Sequence, residues 1–544
     1  MKKKEEDMKF EEIPTPIEKE KIGEVCLADT ETGIILKIQK RPDELKLGQP
    51  IIVDTDKFLY YSMVNRLFYP PNDVVMKFAN TSLTNLIPAS QVEGVRGKEF
   101  YGLANLDCLK IIPIDTTNEE LREFDTIPPV FAKCRSITEE EIKIIFGETP
   151  TSDSIGTLRG FNYKIPIDFG TLVKKPFGVF GRTGIGKSIL NKLLCLFILK
   201  QKVSRLLIFD MQGEYGLVSR GEDRSKGLKH YFHDEIQIYR LGDVNQKEKV
   251  IDDAEPFKFY RENITSGDII ASSQTLGEPS INALHILETK MRSDPKQSQD
   301  LLNYINNNGE EEPNIFRSSL IALRNRISRF HKYSFLVPKI PNTPDSIQNM
   351  FEQIQKGKSV VIDFGTYGVD KFLYYFIANA ITRRLYQMYS LREENEDLPP
   401  LVVVLEEAHK FLHPGVIRYT IFDRIAREMR KFQLTLAFVD QRPSQIDEEV
   451  MSQVATRFIM HLIDSRDIDK TVGTLRNPTE YRKIISGLLK RECLIYGDAI
   501  TVPTIIRIMD YHKEDDLKKA LKMIKTQAEV KNDIMKGDAK ALFK

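Results

Sequence analysis

The sequence predicts an α/β protein: a parallel sheet covered by helices on both faces, preceded by a small β-barrel and interrupted by a helical insertion. Three observations predict it. Compact apolar runs at 177–180, 206–209, 360–362, 401–405 and 434–439 alternate with long helical segments such as 188–202 and 371–389, the pattern of strands buried on both faces. Residues 22–113 instead hold frequent short strands broken by turn residues, the pattern of a small barrel. Between about 221 and 342 the alternation breaks, and after one strand-like stretch at 236–240 the segment is mainly helical and polar.

Composition bounds the function. The 544 residues correspond to about three or four domains at roughly 100–200 residues each. Lys+Arg number 79 and Asp+Glu 78, a net charge of +1, which excludes a uniformly basic binder but leaves room for a basic pore or groove. Hydrophobic residues at 41% and charged residues at 29% fit a soluble globular chain. No window reaches the ~18 uninterrupted apolar residues of a membrane span, and the start MKKKEEDMKFEE lacks the apolar stretch of a secretory signal. Cys26, Cys108, Cys134, Cys195 and Cys493 are scattered without a CxxC pair. They read as five packed thiols in a reducing cytoplasm, with neither disulfides nor zinc.

Taken in order, strands at 33–39, 49–53 and 109–113 are separated by turns such as Lys46-Leu-Gly-Gln-Pro50 and Tyr69-Pro-Pro-Asn-Asp73. Residues 116–172 link the barrel to the α/β core. The expected divisions are a barrel at 1–115, a first core part at 116–220, a helical insertion at 221–345 and a second core part at 346–511. The insertion carries a loop at 306–313 rich in Asn and Glu. A Lys-rich tail at 512–544 has amphipathic helical spacing through Leu517, Leu521, Met523 and Ile524, read as a helix packed on a neighbour.

The strongest chemical signal is Gly181-Arg-Thr-Gly-Ile-Gly-Lys-Ser188, a GxxxxGK[ST] motif that follows a strand and opens a helix. Gly181, Gly184 and Gly186 let the backbone curl, with Thr183 between them, so that N–H groups and the helix N-terminus face a phosphate. Lys187 reaches the β- and γ-phosphates, and Ser188 is a ligand for Mg²⁺. ATP and Mg²⁺ are the expected cofactors.

Hydrolysis needs a second strand end that holds metal and polarises water. In Leu401-Val-Val-Val-Leu-Glu-Glu-Ala-His409 an apolar strand ends in two carboxylates, where open α/β sheets place ligands. Glu406 is assigned to the Mg²⁺ shell and Glu407 to the attacking water; His409 reads as structural or as a neighbour of the metal's ligands. The strand end Leu206-Leu-Ile-Phe-Asp-Met-Gln-Gly-Glu-Tyr215 places Asp210, Gln212 and Glu214 near the same edge. A fourth strand end carries Gln441, whose amide donates and accepts and so senses the γ-phosphate. On the basic helix at 422–431, Arg424, Arg427 and Lys431 share a face and Arg430 sits just off it. A motor working as a ring needs an arginine that reaches its neighbour's γ-phosphate; Arg430 is the first choice, with Arg427 or Arg424 as substitutes.

GRTGIGKS, DMQGEY, LVVVLEEAHKFL, AREMRKF and VDQRPSQIDEEVMSQVATRFI, in this order, resemble the HerA family of the HerA–FtsK group of ring-forming DNA translocases. The resemblance spans roughly 20–511. It implies a RecA-like P-loop ATPase core, an N-terminal barrel of the HAS type, and a homo-hexamer that encloses double-stranded DNA and moves along it. It implies an effector docked on the barrel, a NurA-like nuclease in end processing or another enzyme, such as a sirtuin-like NAD-consuming one, in antiphage defence. Glu406 and Glu407 then form the Walker B pair, Gln441 is the sensor and Arg430 the finger offered to the neighbour. Lys175 stands where relatives carry an arginine before the P-loop strand, keeping the charge without the planar fork. The loop at 219–230 is a candidate DNA contact. A scaffold that assembles and activates an effector, and a secretion-type ATPase that moves protein, are the competing readings.

Overall fold

The computed structural model describes residues 20–69, 101–114, 121–147, 154–219, 224–242, 254–273, 276–293, 300–310, 312–391 and 398–521, with 428–432 described by backbone alone. Six strands close a barrel: β1 (Lys21–Asp29), β2 (Gly33–Ile38), β3 (Pro50–Asp54), β4 (Phe58–Phe68), β5 (Leu103–Pro113) and β6 (Lys133–Ser136), in the order β1-β2-β5-β4-β3-β6. Val25, Leu36, Ile51, Val53, Val64 and Leu106 fill it with no exposed surface. Closure leaves no strand edge for foreign pairing. The barrel ends beyond the expected 115, because β6 is the stave that pairs with both β1 and β3. Its four residues include Lys133 and Arg135, so no apolar run advertises it. Cys26 is exposed and not packed: the β1–β2 register shifts between Val25 and Leu27, turning Cys26 and Leu27 outward.

Arg135 on β6 joins the barrel to the helix Glu139–Phe146. Its guanidinium donates to Asp54 Oδ2 at 2.7 Å and to both oxygens of Glu141 at 2.6 and 3.0 Å. Glu141 also completes a capping box with Thr138. Arg135 and Glu141 are both buried, so the pair is hydrogen-bonded because nothing else could solvate it.

The core sheet has eleven strands in the order β11-β10-β14-β9-β15-β16-β8-β17-β18-β19-β7. These are β7 (Gly156–Leu158), β8 (Phe177–Phe180), β9 (Arg205–Asp210), β10 (Ile236–Arg240), β11 (Ala254–Pro256), β14 (Ser359–Asp363), β15 (Leu401–Glu406), β16 (Leu434–Asp440), β17 (Thr456–Ile459), β18 (Glu492–Gly497) and β19 (Thr504–Ile508), with β12 (Phe259–Tyr260) and β13 (Leu336–Val337) forming a separate pair. From β11 through β17 the neighbours are parallel, as expected. β18, β19 and β7 add an antiparallel flank that the sequence reading lacked. The uninterrupted apolar runs have a simple cause. On β15, Leu401, Val403 and Leu405 enter one core while Val402 and Val404 enter the other. Both faces are buried, so no position alternates to polar.

β10 and β11 lie in the main sheet, so within 221–345 the mainly helical part is the stretch after them. Its helices, Ser266–Ser272, Glu278–Ser293, Leu301–Asn307 and Arg317–Ile327, are bracketed by the β12–β13 pair. Fully buried Asp268 ties this part to the long helix Lys371–Ser390 through Arg383 at 2.7 Å and Asn379 at 2.9 Å. The barrel is fastened to the core by Asp107 on β5, which accepts from Asn477 Nδ2 at 3.0 Å and Tyr481 Oη at 3.2 Å. Of the tail, the helix Glu514–Ala520 buries Leu517 against the core, and 522–544 fall outside the described residues. Among the described residues no helix is long and apolar enough to cross a membrane.

Removing the Arg135 guanidinium strands Glu141 and Asp54. Arg135→Ala should therefore lose about 3–5 kcal/mol in denaturant unfolding followed by a barrel probe. A loss under about 1 kcal/mol would show that the cluster does not hold the barrel to its helix.

Candidate functional site

The site assembles at the C-terminal ends of β8, β9, β15 and β16, four strands that are neighbours in space though not all in sequence. β8 ends at Phe180 and the chain turns through Gly181–Gly186 into the helix Lys187–Gln201. Gly184 at φ +78° and Gly186 at φ +111° adopt left-handed backbone that a side chain would strain. Lys187 folds back over the loop and donates to the Arg182 carbonyl at 3.0 Å. Burial lowers the pKa of its ammonium, and the charges of Asp440 and Glu406 oppose that shift. Gly181 N and Arg182 N donate to the Asp440 and His461 carbonyls at 3.2 and 2.9 Å, which seats the loop on the neighbouring strand ends; a glycine-rich turn into a helix N-terminus beside a lysine is the form a phosphate requires.

Glu406 ends β15. Its Oε1 accepts from Tyr215 Oη at 2.7 Å, and its backbone carbonyl accepts from Tyr374 Oη at 3.0 Å. Burial pushes its carboxyl up to about 7; the Tyr215 hydrogen bond and Lys187 pull it down, while Glu214 and Asp210 push it up. Glu407 points elsewhere. Its backbone is left-handed at φ +49°, uncommon for a residue with a side chain, and its carboxylate is paired with Lys410. The Lys410 ammonium is itself pushed down to about 8 by burial, with the Lys371 charge adding to the effect. One backbone kink thus sends adjacent carboxylates to different partners.

Asp210, at the end of β9, is buried and accepts backbone N–H bonds from Glu214, Tyr215 and Gly216 at 2.7, 2.8 and 3.1 Å. It serves as the clamp of the DMQGEY turn. At the end of β16, Asp440 accepts from the His409 backbone N at 2.5 Å, from His409 Nδ1 at 2.9 Å and from Arg442 N at 2.6 Å, tying the β15 and β16 ends together. Gln441, the next residue, accepts from the Thr183 hydroxyl of the glycine loop. The sequence reading found Gln441 and His409 but missed Asp440 as their common anchor. It quoted Tyr215 within DMQGEY but gave it no role; the one signal available was an aromatic at the end of a polar turn.

One expected residue, Lys175, is not brought to this edge. Lys175 precedes β8 at its opposite end, about 3.3 Å per residue away along the strand, and pairs with Asp498. Arg430 lies within the helix Ile421–Phe432, and its side chain is outside the described residues. Its substitutes are engaged: Arg427 with Asp423 and Glu449 at 2.9 and 2.8 Å, Arg424 over the Tyr386 ring at 5.9 Å. Two lysines of the candidate DNA loop are engaged or buried within the chain. Lys226 pairs with Glu514 of the C-terminal helix at 2.7 Å, Lys229 is buried, and 220–223 fall outside the described residues.

Hard oxygen donors suit Mg²⁺, and Ser188 and Glu406 supply them. Asn191, one helical turn after Ser188, has a buried Oδ1 with no hydrogen-bond partner, an orphan acceptor beside the Tyr215–Glu406 pair. A hydrated cation fits such surroundings, because its waters donate.

A family model described as the central domain of helicase HerA matches residues 153–385. A DNA double-strand break repair helicase HerA of Sulfurisphaera tokodaii is 26% identical over 440 residues, 75% of this chain and 80% of that protein. The same-named protein of Saccharolobus solfataricus is 25% identical over 404 residues, 70% of this chain and 73% of it. Among solved structures, VirB4 of Thermoanaerobacter pseudethanolicus overlays with TM-score 0.45 at 12% identity, covering 67% of this chain and 98% of that one. The plasmid coupling protein TrwB with ADP and Mg²⁺ overlays with TM-score 0.44 at 13% identity, covering 69% and 93%.

A carboxyl raised from 4.5 to about 7 binds its proton more tightly folded than unfolded. Its contribution to stability is therefore present below about pH 4.5 and is lost as pH rises towards 7. Glu406→Gln has no such group, so from pH 5 to pH 8 in metal-free buffer it should gain on the order of 3 kcal/mol relative to the parent. Urea midpoints at the two pH values measure this; an unchanged difference would remove the buried carboxyl from the site's electrostatics.

Proposed function

We infer, for a chain that belongs to the HerA family, an ATP-hydrolysing motor that moves along duplex DNA as a hexameric ring. One observation carries the reading: a glycine-loop lysine, a half-buried strand-end carboxylate and an amide in contact with the loop all meet at one sheet edge. In it, N–H groups of 183–188 and Lys187 hold the β- and γ-phosphates. Ser188 and Glu406 hold Mg²⁺, which when bound neutralises phosphate charge. Glu407, released from Lys410, orients the attacking water. Gln441 shares its contact between Thr183 and the γ-phosphate, so loss of that phosphate changes the position of the β16 end. Arg430 of one protomer completes the pocket of the next, and Lys175, remote from its own pocket, serves at the same boundary.

The proteins it resembles are named as DNA double-strand break repair helicases, which supports duplex DNA as the track. The barrel supports an effector partner, of the nuclease or NAD-consuming kind, in DNA end processing or antiphage defence. Leu27, Val130 and Phe131 are 55%, 53% and 76% exposed on its outside, and Phe131 N bonds Val25 O, which places them around one strand pair. The same patch favours the second reading, in which the ring chiefly assembles and licenses that effector.

Duplex DNA should stimulate ATP turnover by the purified protein. Lys187→Ala should lose turnover, and Glu407→Gln should bind ATP without turning it over. Arg430→Ala should lose on the order of 10³–10⁵ in rate with nucleotide binding intact. Mixing Arg430→Ala with Glu407→Gln should restore part of it, since some interfaces regain both groups. A monomer with full activity in light scattering and turnover assays would refute the shared pocket.

A further inference from the structure

Three elements of the site converge on Tyr215. Its ring is fully buried, its backbone N–H is clamped by Asp210, and its carbonyl accepts from Leu228 N at 2.7 Å. The residue is therefore anchored independently of its hydroxyl. That hydroxyl accepts from Asn191 Nδ2 at 3.0 Å and donates to Glu406 Oε1 at 2.7 Å. Asn191 belongs to the helix that opens with Lys187 and Ser188, and Glu406 closes β15.

The proton count makes this arrangement directional. A phenol has one proton to give. With the Asn191 amide donating to the phenol oxygen, that proton is committed to the Glu406 carboxylate. The reversed amide would instead present a second acceptor to the same proton. Oε1 thereby carries the Tyr215 hydrogen bond, which leaves Oε2 the less encumbered oxygen for a cation. The Glu406 backbone is held separately by Tyr374.

We propose that Tyr215 is a positioning residue that selects which oxygen of Glu406 meets the divalent cation, with Asn191 setting the direction of its proton. This rests on the assignment of Glu406 to the metal shell. Residues that orient metal ligands from behind typically change metal affinity 10–100-fold when removed. Tyr215→Phe keeps the ring and its packing but removes the hydroxyl, which leaves the carboxylate free to turn.

The test is an electron paramagnetic resonance titration of Mn²⁺ into the full-length protein with a non-hydrolysable ATP analogue, alongside binding of the analogue in EDTA. Tyr215→Phe should raise the half-saturating Mn²⁺ by about 10-fold or more, with metal-free analogue binding unchanged. A structural role alone would weaken both together. Glu406→Gln is the reference. If it weakens Mn²⁺ binding and Tyr215→Phe does not, the positioning role is overturned while the site stands. If Glu406→Gln also binds Mn²⁺ as the parent does, the metal assignment fails, and this proposal with it. Should Tyr215→Phe not fold, Asn191→Ala carries the test: a raised Mn²⁺ requirement with unchanged metal-free binding supports the proposal, and an unchanged requirement overturns it.

Discussion

Burial of the sheet on both faces is the constraint from which the rest follows. β9, β15 and β16 have no face on which to carry a charge, so every charged group is displaced to the strand ends. There the backbone must also change direction, and the turns supply both N–H donors and close side-chain approach. Asp210 and Asp440 do the same work at two neighbouring ends: each satisfies several N–H groups that a turn would otherwise leave unpaired in a dry place. The chemistry of the site is built on those turns.

The consequence extends past the nucleotide. Gln441 touches the glycine loop, and three residues later Ser444 N donates to Asp467 Oδ1 at 3.0 Å. Asp467 lies on the helix Ser465–Val472, which packs against the helix Pro478–Ser486, and Tyr481 of that second helix holds Asp107 of the barrel. A displacement at the β16 end therefore has a packed route to the barrel through rigid helices. Burial raises the pKa of Asp107, and its two donors oppose that shift.

What was legible in the sequence was what physics makes local. The glycine loop announces itself because φ > 0 and close phosphate approach demand glycine at set spacings. The strands of the parallel core announce themselves because burial on two faces leaves a continuous apolar run. What was not legible depends on distant partners. β6 is four residues with two cations and is a strand only because β1 and β3 flank it. β18 is held between β17 and β19, and β19 pairs with β7, more than 330 residues earlier in the chain. Lys175 looked close to the P-loop along the chain, but strand geometry sends it to the other edge. The pairing of Lys226, within the candidate DNA loop at 219–230, with Glu514 nearly 290 residues on could not be seen from local sequence. Tyr215 closes the DMQGEY stretch and Asn191 lies in an expected helix, but residue type and spacing do not say which proton points where.

The pairing of β7 with β19 has a consequence for how the chain comes into being. β7 is the first strand of the sheet to leave the ribosome and β19 the last, yet β19 is the only strand β7 pairs with among those described. The barrel has all its staves by residue 136 and can close early in synthesis. The strand that follows it must wait, unpaired, for some 350 residues to be translated. Folding of the sheet is thus gated by completion of the polypeptide, and a message truncated before β19 yields a finished barrel tethered to an open, sticky edge.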